Sequence, residues 1–202
     1  MDAACKGIVT PQMEEVLQNE SISKQDLMEK MAQGRIVIPA NRNHTNLRAG
    51  GVGEGLTTKI NANLGVSKDV CSFDSEMNKA ELALKFKADA IMDLSVSGDT
   101  EGFRKRLVKD VPVMIGTVPI YDTLTRTGKP TEELTLDDWF RTVEIHAENG
   151  IDFITIHAGM TEQNDPFNRV LAYSYDADSN RAGMTYPDGN QVAYEYSPNS
   201  WL

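Results

Sequence analysis

Four short apolar runs, each followed by a stretch long enough for a helix, constrain this 202-residue chain more than any other feature. The runs are Thr58 to Leu64, Ala88 to Leu94, Val113 to Val118 and Asp152 to His157. Each is bounded by Gly, Pro, Asp or Ser, as buried parallel strands usually are. Between them, Asp74 to Lys87 sets Met77 and Leu84 near one helical face, with Asp74 as its N-cap. Thr100 to Lys109 opens on a cap residue and ends in cations, which suits the helix dipole. Leu134 to Asn149 is read with Thr135 as cap, with Trp139, Phe140, Val143 and Ala147 inward and His146 at the surface, and with Gly150 just past the end. A further helix, Ser23 to Gln33, closes on Gly34. Strand and helix in alternation give an α/β domain with right-handed crossovers.

The pattern breaks near residue 162, dividing the chain into an N-terminal segment (1–55), an α/β part (56–161) and a tail (162–202). Every lysine lies at or before Lys129, and the tail has only Leu171 and Leu202 as leucine or isoleucine. Period-two alternation in Arg169 to Asp176 and Gln191 to Tyr196, with the turn Tyr186-Pro187-Asp188-Gly189-Asn190 between them, predicts a small β-hairpin or meander. Such a unit is too small to be stable without packing on something else.

Charge narrows the partners. A formal net charge of −10 argues against nucleic acid or an anionic membrane surface as a partner, since either needs a clustered basic face. No run approaches the roughly 20 apolar residues of a membrane span, and the opening MDAACKGIVTPQMEE has no basic region leading into an apolar one. A cytoplasmic protein is expected. Cys5 and Cys71 match no disulfide, metal or redox spacing.

Functional groups of parallel α/β sheets gather past the carboxyl ends of the strands. Those positions hold Asn61 and Asn63, then Met92, Asp93 and Ser95, then Thr117 and Tyr121, and finally His157. The set predicts a pocket lined by amides, a phenol, an imidazole and one carboxylate. The glycine run Gly50 to Gly55 precedes a strand instead of following one, so it reads as a turn and not as a phosphate loop. His44, in a polar loop with Asn41, Arg42 and Asn43, reads as structural.

In order and spacing, Ile36 to His44 (IVIPANRNH), Lys59 to Gly65 (KINANLG), Ala90 to Ser95 (AIMDLS), Gly116 to Tyr121 (GTVPIY) and Phe153 to Gly159 (FITIHAG) resemble the amino-terminal part of the phosphomethylpyrimidine synthase (ThiC) family. The likeness covers residues from about 5 to 160. It implies a partial (β/α)8 barrel of four strands, behind an N-terminal helical segment and ahead of the small β-meander. It also implies radical S-adenosylmethionine chemistry of lyase type, converting 5-aminoimidazole ribotide to hydroxymethylpyrimidine phosphate for thiamine. Asn63, Met92, Tyr121 and His157 match the family's substrate-binding positions. The family's [4Fe-4S] cluster and zinc are implied too, but their ligands lie beyond the matched part. The chain is therefore expected to be a truncated form, inactive alone. Arg42 and Val96-Ser97 depart from the family pattern and leave open the related 5-hydroxybenzimidazole synthase, or a non-catalytic interaction module. The tail resembles a YD repeat of Rhs-type shells. Four strands leave two sheet edges open, so a homodimer or other self-association is expected.

Overall fold

The computed structural model describes residues 2–69, 72–156, 162–164, 170–175, 181–186 and 188–194. They fall into two compact units, residues 1–156 and 157–202.

The first unit opens with α1 (Asp2–Cys5), α2 (Pro11–Asn19) and α3 (Lys24–Ala32). Each longer helix starts on a hydroxyl cap. Thr10 Oγ1 accepts the Met13 N–H at 3.3 Å, with Pro11 at the first helical position, and Ser23 Oγ accepts the Asp26 N–H at 3.0 Å. Met13, Val16, Leu27 and Met31 bury against Ile36. Ile36 belongs to β1 (Ile36–Val37), which pairs antiparallel with β2 (Val52–Gly53). The glycine run expected to be only a turn thus contains a strand. Gly53 is required there, because its φ is 145° and a Cβ would fall 2.2 Å from the Arg35 carbonyl oxygen.

The sheet that positions the candidate site follows: β3 (Asn61–Leu64), α4 (Phe73–Lys85), β4 (Ala90–Asp93), α5 (Thr100–Asp110), β5 (Met114–Thr117), α6 (Pro119–Thr127), a 3₁₀ turn (Thr131–Glu133), α7 (Leu136–Glu148) and β6 (Phe153–Ile154). Its four strands run parallel in chain order, β3-β4-β5-β6. They match the four apolar runs, shortened at their ends. The expected α/β architecture is present; the described strands form an open sheet with β3 and β6 as its two ends.

Alternation along the strands separates two faces. Leu64, Ile91, Ile115 and half-buried Ile154 pack against Met77 and Ala80 of α4 and Phe103, Leu107 and Val108 of α5. Burying a side chain such as Ile91, Leu107 or Ile115 contributes roughly 1.5–3 kcal/mol each. The opposite face carries Asn61, Asn63, Met92, Phe153 and Thr155, all exposed or half-buried. Toward the strands' amino ends it is closed by Met114, which packs on Gly50.

Three helix expectations need correction. The cap of α4 is Ser72, whose side chain accepts the Ser75 N–H, and not Asp74. Within α7, Phe140 and Ala147 are exposed, and the buried stripe is Thr142, Ile145, His146 and Asn149. His146, expected at the surface, is 1% exposed; polar partners on β5 and α6 draw the helix round onto it. Helix α6 was not anticipated, although Pro119 at its first position and Gly128 at φ 64° past its end are start and stop signals.

A buried latch ties the N-terminal segment to the sheet. His44 Nδ1 lies 2.7 Å from Asp152 Oδ2, and His44 Nε2 lies 2.8 Å from the Val111 carbonyl oxygen. Asp152 also accepts the backbone N–H groups of Asn41 and Ile115, each at 2.8 Å. The Asn41 amide caps the end of α7 through the Ala147 and Ile151 carbonyls. The structural reading of His44 holds.

In the second unit, β7 (Glu162–Asn164), β8 (Val170–Tyr175), β9 (Arg181–Thr185) and β10 (Gln191–Ala193) form an antiparallel sheet in the order β10-β9-β8-β7. The tail is a meander, as expected. The hairpin around Tyr186 to Asn190 joins β9 to β10, however, so the two anticipated strands are not each other's partners.

Candidate functional site

Parallel pairing aligns Asn63 with Met92, Met92 with Gly116, and Gly116 with Phe153, one row across the sheet near its carboxyl end. All four lie on the face away from α4 and α5. Gly116 leaves room for the Phe153 ring, which a Cβ at that position would meet at 2.3 Å. The Asn63 carboxamide oxygen accepts Asn61 Nδ2 at 2.7 Å, which fixes the amide and leaves its own N–H groups to be donated. Thr155 Oγ1 lies 3.8 Å from the Met92 sulfur. The sequence had not pointed to this hydroxyl, although its two-residue offset from Phe153 was a signal. Tyr121 sits half-buried in the first turn of α6, just past the carboxyl end of β5. The structure thus brings Asn63 and Met92 together as direct neighbours and sets Tyr121 at the same end of the sheet. His157 lies outside the described residues.

The one expected carboxylate does not share this face. Asp93 follows Met92 and so points to the helical side, where it is 3% exposed and accepts the Ser95 N–H at 2.9 Å. Burial pushes its carboxyl above the usual range, against the opposing pull of Ser95 and Arg104. Thr117 points the same way, and its Oγ1 lies 2.8 Å from His146 Nδ1.

Behind the site the helices hold a buried charged cluster that the sequence did not disclose. Asp122, next to Tyr121, accepts the Thr100 hydroxyl at 2.6 Å and Arg104 Nη2 at 2.8 Å, and lies 3.1 Å from His146 Nε2. The side chains of Arg104, Asp122 and His146 are each 2% exposed. Burial alone would raise the Asp122 carboxyl, but His146, Arg104 and Thr100 together hold it well below the usual carboxylate range. The first turn of α6, and with it Tyr121, is therefore anchored to α5, α7 and β5 at once.

A cavity of about 380 Å³ lies at the amino ends of the strands, away from this site. Among its lining groups, Lys59 and Glu20 already pair at 2.6 Å, and Asp89 accepts the Ile60 N–H at 2.7 Å. Glu20, Lys59 and Asp89 thus serve the join between the N-terminal segment and the sheet, and the strand-end face remains the better candidate.

Among the described residues no group of three His, Cys, Asp or Glu side chains is placed to hold a metal ion. No helix among them is long and apolar enough to cross a membrane.

Comparison with known proteins bears on the same residues. A family model described as the Radical SAM ThiC family matches residues 1–170, and one described as RHS Repeat matches residues 158–191. A phosphomethylpyrimidine synthase of Pelotomaculum thermopropionicum is 50% identical over 163 residues, covering 81% of this chain and 38% of its own length. One from Clostridium botulinum strain Hall is 51% identical over 190 residues, covering 94% of this chain and 42% of its own. The chain therefore spans about two fifths of the length of the curated relatives it matches.

Proposed function

Because the chain belongs to the radical SAM ThiC family, we propose that it carries the front part of a phosphomethylpyrimidine synthase, a thiamine-biosynthesis enzyme, and retains part of the pocket for 5-aminoimidazole ribotide. The observation that carries this reading is the row Asn63–Met92 at the carboxyl end of a parallel sheet, with Tyr121 at the exit of β5. Asn63 is held to donate amide hydrogens, Tyr121 offers a phenol, and Met92 offers a polarizable thioether to a flat heterocycle. His157 belongs to the same proposed set. The names of the relatives support the pyrimidine product over the benzimidazole one, and the family supports a cytoplasmic setting.

In the family, S-adenosylmethionine and an iron–sulfur cluster supply radical chemistry of lyase type, with zinc bound besides. A cluster needs a group of thiolates, and this chain has only Cys5 and Cys71. The residues present do not fit the cluster. The part proposed for the residues present is binding: they position the ribotide and exclude water on one side of it.

Calorimetric titration with 5-aminoimidazole ribotide tests this. Wild type is expected to bind in the micromolar to millimolar range, and Asn63→Ala at least about tenfold more weakly, the loss of roughly one good hydrogen bond. Equal binding by the two, or none by wild type at millimolar ribotide, refutes the reading.

A further inference from the structure

The cavity of about 380 Å³ at the amino ends of the strands is lined by two cations without an acidic partner. Glu20 and Lys59 pair with each other, and Asp89 is bonded to the Ile60 N–H. Arg48 and Lys87 line the same cavity, and among the described residues neither side chain forms an ion pair or a hydrogen bond. Two acids and three bases thus face one space, a local excess of positive charge in a chain of net charge −10.

Lys87 stands where a helix commonly ends on glycine. It follows Phe86, the C-cap of α4, at φ 62°, and is the only described residue other than glycine with a positive φ. Glycine would adopt that backbone without strain, so what the lysine adds is its ammonium at the cavity. Arg48 is fixed at its backbone, where its N–H donates to the Pro112 carbonyl at 3.0 Å, and the glycine run follows almost directly. A Cβ at Gly50 would come within 3.2 Å of the Met114 methyl, so glycine there lets the chain lie close against the cavity wall. That wall is apolar: Val16, Val113 and Met114 line it and are themselves buried.

We propose that this cavity binds a small organic carboxylate, with the carboxylate on Arg48 and Lys87 and an apolar stem against Val16, Val113 and Met114. The planar guanidinium matches a carboxylate in a two-pronged bond, and the ammonium adds a point charge. The single excess positive charge balances one negative charge. The Asp89 carboxylate, which lines the same space, opposes a second, and this disfavours a phosphate dianion. The apolar wall matches a carbon stem better than it matches a bare inorganic ion. Binding here does not depend on the ribotide, because the row Asn63–Met92 lies toward the other end of the strands.

Methyl NMR on the full chain, labelled at its methionines, tests the proposal with sodium hexanoate as the probe at constant ionic strength. The Met114 signal, identified by its absence in Met114→Leu, is expected to shift saturably while the Met92 signal stays still. The expected Kd is in the millimolar range, which is what about eight heavy atoms supply. Hexan-1-ol and inorganic phosphate each lack one half of the proposed ligand and are expected to bind at least about tenfold more weakly. Arg48→Met and Lys87→Gly are each expected to weaken hexanoate by about tenfold or more. Lys87→Gly is also expected not to lower the urea midpoint, because relief at φ 62° offsets the added freedom of the unfolded chain. Its loss of binding is then not a loss of fold. A Met114 signal that does not move, hexanol or phosphate binding as well as hexanoate, or variants that bind like wild type each overturns the proposal.

Discussion

Replacing Arg104 by alanine is expected to cost the α/β unit about 3–5 kcal/mol, the range seen when one partner is stripped from a buried ion pair. The guanidinium is the only formally cationic side chain bonded to Asp122 among the described residues, at 2.8 Å, and both side chains are 2% exposed. Removal would leave the Asp122 carboxylate buried with the Thr100 hydroxyl and His146. Those donors solvate it less well than the present set, which holds it far below the usual carboxylate range. A depressed carboxylate pKa stabilises above the unfolded value of about 3.9 and loses that contribution as pH falls through the folded value. In wild type the contribution persists into strong acid. In Arg104→Ala it is lost at higher pH, so the variant is the more acid-labile of the two. Urea unfolding followed by circular dichroism is expected to show a midpoint lower by about 1–3 M. Arg104→Met, which keeps much of the volume, separates lost charge from lost packing. A loss below about 1 kcal/mol in both variants would mean that Asp122 is hydrated, contrary to its burial.

Why this cluster stayed hidden in the sequence has a physical answer. Helix α6 holds Thr123, Thr125 and Thr127, β-branched residues that lower helix propensity. In the fold their hydroxyls donate to carbonyls four residues back, those of Pro119, Tyr121 and Thr123. With α6 unread, Asp122 had no reason to be buried, and His146 had no buried partner to turn toward. The error over Phe140 has the same origin: apolar character pointed it inward, while the buried carboxylate selected the polar stripe. By contrast, Asn63 and Met92 were legible because short apolar runs followed by polar groups mark strand ends, and Thr135 and Gly150 were legible as cap and stop. Asp93 was legible as a strand end but not as to its face, since a one-residue offset in a strand reverses the side chain. The His44 latch could only be read as structural, because its partner lies 108 residues away.

That latch gives the second large effect. Asp152→Ala is expected to destabilise the join between the N-terminal segment and the sheet by about 3–5 kcal/mol, since it strands the Asn41 and Ile115 N–H groups and one side of His44. Both His44 nitrogens face acceptors, so the ring is bonded best when doubly protonated. Burial lowers its pKa, but the Asp152 carboxylate and the Val111 carbonyl outweigh that, and the net shift is upward from 6.5. A raised histidine pKa means that the folded state binds the extra proton. Its stabilisation is complete below about pH 6.5 and is lost as pH rises through the raised value. Wild type should therefore lose stability over that alkaline-going interval, and Asp152→Asn should show a flatter profile. Urea midpoints measured across that interval check this. A profile equally steep in the variant would show that another group titrates there.

The central claim, that the strand-end face binds the ribotide, is tested most directly at the Met92 methyl group. In protein labelled at its nine methionine methyls, the Met92 signal is identified by its absence in Met92→Leu. Titration with 5-aminoimidazole ribotide is predicted to shift that signal saturably, while Met13 and Met31, buried in the N-terminal cluster, stay still. A Met92 signal that does not move while calorimetry registers binding, or one that moves no more than Met13 and Met31, would contradict the account.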